Sequence, residues 1–76
     1  MDIIVVEENG AKVVNINGRL DTVTSPDLEK AVNPLIGIGQ TVVFNCEKME
    51  YISSAGLRVV LSTHKLCSAS GGRFIV

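Results

Sequence analysis

Tyr51-Ile52-Ser53-Ser54-Ala55-Gly56-Leu57-Arg58 carries the chain from the end of an apolar strand region into an amphipathic helix. Ser53 and Ser54 therefore stand where a helix N-terminus exposes unpaired backbone N–H groups and a partial positive charge. A serine in that place can be an ordinary cap, a nucleophile or an acceptor for phosphate. Serine is among the preferred capping residues, so capping is the commonest of the three. Location favours the acceptor reading as well, because a phosphate at the first turn meets free N–H groups. It also adds roughly −1.5 to −2 charge to the surrounding surface.

Working outward, Thr41-Val42-Val43-Phe44-Asn45-Cys46 just upstream is the strongest strand signal in the sequence. Its nearly unbroken apolar character predicts a central strand with both faces covered. Glu47 to Glu50 reads as a short polar loop, and Tyr51-Ile52 returns the chain to the sheet edge. Downstream, a helix is expected from about Ser54 to Cys67, with Leu57, Val60, Leu61 and His64 along one face. Ser70-Gly71-Gly72 ends it, and Arg73-Phe74-Ile75-Val76 starts another strand.

Toward the N-terminus, Asn9-Gly10 separates two β-branched runs and is a strong hairpin signal. The return run, Lys12 to Asn17, places Val14 and Ile16 on one face and Val13 on the other. Gly18-Arg19-Leu20-Asp21 leads out of that strand, with Leu20 still directed at the core. Thr24-Ser25-Pro26-Asp27 reads as a helix start, with Thr24 and Asp27 at capping-box spacing. Leu28, Ala31, Val32 and Leu35 follow as a buried stripe, and Pro34 predicts a kink or stop near Asn33. Gly37 and Gly39 form the turn that closes the unit. The string is β-β-α-β-α-β, an α/β domain with an N-terminal antiparallel hairpin and helices packed on a mixed sheet. Right-handed crossovers place the later strands in parallel.

Seventy-six residues make one small domain, which buries only about 60% of its extended surface. A hydrophobic content of 46% with only two Phe and one Tyr requires a core of Val, Ile, Leu and Ala. A net charge of −1 without a basic run argues against nucleic acid or an anionic membrane as the main partner. Met1-Asp2-Ile3-Ile4 lacks the basic flank and apolar run of a secretory signal. Cys46 and Cys67 are too few for a disulfide framework or zinc site, and read as reduced thiols of a cytoplasmic protein. The chain stops inside an apolar strand, from which a missing C-terminal portion is expected. That open strand edge invites strand exchange between chains and a homo-oligomer.

Catalysis finds little support. Ser54-Ala55-Gly56 matches half of a nucleophile elbow, but Ile52 stands at the first glycine position. The single histidine, His64, lies ten residues along the same helix, about 15 Å away, too far to serve Ser54 as a base. Gly37-Ile38-Gly39 lacks the helix and Lys-Ser/Thr of a phosphate loop. His64 as a metal ligand is likewise unsupported, and no cofactor is expected.

Tyr-Ile-Ser-Ser-Ala-Gly-Leu-Arg-Val-Val-Leu from Tyr51 resembles the signature of bacterial anti-sigma factor antagonists, the STAS domain family. Gly18-Arg19-Leu20-Asp21, ahead of a Thr/Ser-Pro helix start, resembles that family's Gly-x-Leu-Asp segment. Val42-Val43-Phe44-Asn45 is similar too, and the resemblance runs through essentially all 76 residues. It implies a STAS fold that lacks the family's further helix and last strand after Val76. The family's loop is usually Asp-Ser-Ser/Thr-Gly-Leu, with the serine after the aspartate phosphorylated. Ser53 replaces the aspartate here, Ser54 matches the acceptor and Ala55 replaces the second hydroxyl residue. The resemblance further implies a non-enzymatic protein that binds an anti-sigma factor serine kinase and frees a sigma factor. On the same resemblance, phosphorylation of Ser54 would break that complex and a serine phosphatase would restore it. The implied contact surface is Ser53, Ser54, Ala55, Gly56, Leu57 and Arg58, with Asp21 and Thr22 beside it. The alternative is a STAS scaffold without phosphorylation that recognises a small ligand or an assembly partner.

Overall fold

The computed structural model describes residues 1–76 as a five-stranded mixed sheet with two helices. Strands β1 (Asp2–Glu8) and β2 (Ala11–Leu20) form the antiparallel hairpin, turned by Asn9 and Gly10 at φ 51° and 83°. Helix α1 (Ser25–Val32) leads through a 3-10 turn (Asn33–Leu35) to β3 (Thr41–Asn45). Strand β4 (Met49–Ile52) feeds α2 (Ser54–Ala69), and β5 (Arg73–Ile75) closes the order. The sheet runs β1-β2-β3-β5, with β4 paired to the upper end of β2. As expected from right-handed crossovers, β2–β3 and β3–β5 are parallel.

The core is aliphatic, as the scarcity of aromatic residues requires. Val14, Ile16 and Leu20 of β2, Val42 and Phe44 of β3, and Leu28 and Val32 of α1 are buried, with Val59 and Cys67 of α2. Phe74 meets Phe44 edge to face, ring centroids 4.8 Å apart. The helix stop at Pro34 holds: α1 ends at Val32 and Asn33 opens the 3-10 turn.

Four details differ from the sequence reading. Met49–Ile52 is a strand of its own, paired in parallel with Gly18–Leu20 across an irregularity at Gly18/Arg19. Only one face of β3 is buried, through Val42 and Phe44, while Thr41 and Val43 are half-buried and Asn45 is exposed. The buried stripe of α2 is Gly56, Val59, Thr63 and Cys67; of the expected face only Val60 packs against the core, half-buried, while Leu57, Leu61 and His64 are exposed. Leu57 and Leu61 are 50% and 54% exposed. Small side chains let α2 lie close on the sheet: a Cβ on Gly56 would come within 2.7 Å of the Leu20 side chain and 2.9 Å of its carbonyl. Finally, the Thr24 side chain does not cap α1. The capping pair lies three residues earlier, at Asp21 and Thr24.

No helix is long and apolar enough to cross a membrane. Cys46 is half-buried and Cys67 buried; both are free thiols, and desolvation pushes both pKa values up.

Candidate functional site: two helix entries at one end of the sheet

Leu20 and Ile52 are paired residues at the C-terminal ends of the adjacent parallel strands β2 and β4. The residues that follow them, Asp21 and Ser53, are thereby brought side by side. The Ser53 N–H donates to the Leu20 carbonyl at 2.9 Å and ties the two exits together. Each strand exit runs directly into a helix, so the site consists of two neighbouring helix entries.

At the first entry, the Asp21 carboxylate accepts the N–H groups of Val23 and Thr24, both at 3.0 Å. In return the Thr24 hydroxyl accepts the Asp21 N–H at 2.9 Å and donates to the Arg19 carbonyl at 2.9 Å. This reciprocal pair is a capping box with Asp21 in the leading position. The Thr24 backbone N–H, foremost, with the Thr24 hydroxyl, the Val23 N–H and the Arg19 charge, holds the Asp21 carboxyl below its usual range against the opposing effect of desolvation. Ser25 is buried, its hydroxyl donating to the Asp21 carbonyl at 2.5 Å. Thr22 stays exposed.

The second entry is simpler. Ser53 has an extended backbone (φ −91°, ψ 173°), and its hydroxyl accepts the Gly56 N–H at 3.2 Å. Ser53 is therefore the cap. Ser54, the first helical residue, is exposed, and its hydroxyl makes no hydrogen bond within the chain. Ala55 is half-buried, Gly56 is buried against Leu20, and Leu57 and Arg58 face outward. The two adjacent serines that sequence left ambiguous are thus told apart: Ser53 precedes the helix and Ser54 opens it.

A cleft of about 410 Å³ lies between the entries, with Thr22, Ser25 and Pro26 on one wall and Ala55, Arg58 and Ser62 on the other. Sequence reasoning missed the Arg19 guanidinium stacked over the Tyr51 ring at 4.3 Å. These two are in register on β2 and β4, a pairing visible only once Met49–Ile52 is known to be a strand. His64 stacks on Phe74, centroids 5.8 Å apart, on the helix well beyond Ser54. No group of three metal-ligating side chains occurs.

Residues 2–76 match the STAS domain model. The chain belongs to the STAS domain family. This STAS domain is 29% identical over 62 residues to the anti-sigma-F factor antagonist RsfB of Mycobacterium tuberculosis. The match takes in 80% of this chain and 51% of RsfB, so the chain spans about half the length of that curated relative. Among solved structures, the anti-sigma factor antagonist SpoIIAA in its unphosphorylated form aligns with TM-score 0.77 at 17% identity, over 97% of this chain and 71% of that one. The phosphorylated form of SpoIIAA, a Bacillus cell fate determinant, aligns with TM-score 0.78 at 18% identity, over 99% and 70%. At these identities the two structures establish the STAS fold.

Proposed function

We propose that this STAS domain is an anti-sigma factor antagonist, non-enzymatic and cytoplasmic, governed by phosphorylation of Ser54. Its partner in this reading is an anti-sigma factor that is also a serine kinase, and occupying that partner frees a sigma factor. The kinase transfers the γ-phosphoryl group of ATP to Ser54 Oγ, the hydroxyl proton is lost, and ADP leaves. The ATP site belongs to the kinase. The added charge and bulk break the complex, and a serine phosphatase reverses the change.

The observation that carries this reading is the division of labour between the two serines. Ser53 holds the helix end, so the exposed Ser54 hydroxyl can be modified without removing a cap. Arg58, one turn along the same helix face, and the free N–H groups of the first turn receive the new charge locally. The helix then persists while the surface changes sign. The names of the relatives, RsfB and SpoIIAA, support the partner class. The exposed Leu57 and the neighbouring Thr22 and Arg58 complete the contact surface.

Incubation with the kinase and ATP, followed by peptide mass spectrometry, tests the assignment. One phosphate on Ser54, absent from Ser54→Ala, is the expected result; phosphate on Ser53 or none at all contradicts it. The cleft beside Ala55 and Arg58 favours a second reading, a phosphorylation-independent domain that takes a small ligand there. Ligand-induced chemical shifts confined to Ser25, Arg58 and Ser62, with no phosphate on Ser54, would select it.

A further inference from the structure

Both helices cover the same face of the sheet, and the opposite face is open. In-register pairing lines up one row of side chains straight across it: Val6 of β1, Val13 of β2, Val43 of β3 and Ile75 of β5. Val6 and Ile75 are 40% and 50% exposed, and Val13 and Val43 are half-buried by their neighbours alone. The adjacent row begins with Glu8 on β1 and ends with Arg73 on β5. Between them stand only Ala11 and Thr41. Three strand spacings, roughly 14 Å, separate the two charges, so they do not pair within the chain. The one intrachain ion pair is Glu7–Lys12, on the helix side.

We propose that this open face binds a second copy of the chain, face to face, about a two-fold axis parallel to the strands. That axis sets β1 of one copy over β5 of the other. Each Glu8 then meets Arg73 of the partner copy, twice by symmetry. The same rotation lays the Val6-Val13-Val43-Ile75 row antiparallel on itself across an ordinary sheet-to-sheet gap of about 10 Å. A two-fold axis perpendicular to the strands through the charged row would instead oppose Glu8 to Glu8 and Arg73 to Arg73. Charge thus selects one arrangement. Strand exchange through β5 is the competing mode, and it needs no contact between Glu8 and Arg73. The face is small, so the dimer is weak and concentration-dependent.

Sedimentation of the 76-residue chain up to about 1 mM tests this. A reversible dimer is expected, with Glu8→Arg and Arg73→Glu each raising Kd about tenfold and the double variant restoring it. Val43→Lys, at the centre of the row, abolishes association. Unchanged thermal melting of the charge variants excludes a folding defect, and the double swap remains decisive if Val43→Lys fails to fold. A strict monomer, a dimer indifferent to the single reversals, or a double swap that fails to restore binding would each overturn the proposal. The last two outcomes point to strand exchange or another face.

Discussion

The two helix entries sit side by side at one end of the sheet, yet they are built in opposite ways. At α1 three polar side chains are engaged: Asp21 and Thr24 cap each other, and Ser25 is buried and bonded, while Thr22 stays exposed. At α2 a single bond from the Gly56 N–H to Ser53 suffices, and the next hydroxyl is left exposed. The first entry commits Asp21, Thr24 and Ser25 to the fold. The second leaves the Ser54 hydroxyl exposed and unbonded. Similar hydroxyl-rich turns, both preceded by a buried or half-exposed apolar residue, are thus bonded in different ways.

The contrast can be broken hardest at Gly56. An added methyl gains up to about 1 kcal/mol in helix propensity, but it meets Leu20 side chain and carbonyl inside contact distance. Gly56→Ala is therefore expected to lower unfolding free energy by about 1–3 kcal/mol in urea titration. Second comes Asp21→Ala, which removes the acceptor of two N–H groups and is expected to lower the urea midpoint. Its pH signature sharpens the point. Because the folded carboxyl titrates below its usual range, its stabilisation is complete above the unfolded pKa of about 3.9 and fades as pH falls through the folded value. The gap between wild type and Asp21→Ala should be constant near neutrality and shrink below about pH 4, read from urea midpoints. Ser53→Ala loses one cap bond and about 0.5–1 kcal/mol, whereas Ser53→Asp keeps the cap. Smallest is Ser54→Ala, within about 0.5 kcal/mol of wild type in the same titration, because its hydroxyl bonds to nothing in the chain.

Where one sequence signal dominated, the sequence was sufficient. Asn9-Gly10 gave the hairpin, Pro34 the end of α1, and the alternation of Val14, Ile16 and Leu20 the buried side of β2. Where two signals competed, hydrophobicity misled. Leu57 and Leu61 are the more apolar residues of α2, yet Gly56, Val59, Thr63 and Cys67 face the sheet because their size permits close approach. The apolar run of β3 suggested two covered faces, but both helices pack on the face that carries Val42 and Phe44. Strand β4 was hidden by its brevity and by Glu50 within four residues. The Asp21–Thr24 box precedes the Ser25-Pro26 helix start that the sequence signals, so a capping residue can stand a full turn ahead of the regular helix. Ser53–Arg58 and Asp21–Thr22 lie side by side at the ends of β4 and β2, and only the geometry separates the capping serine from the unbonded one.

Isothermal titration of wild type, Ser54→Ala and Ser54→Asp into the anti-sigma factor tests the claim that a spare hydroxyl at the α2 entry governs partner binding. Wild type and Ser54→Ala should bind alike, with Ser54→Asp weaker by at least about tenfold. Equal affinity for all three, with each protein folded, would contradict it.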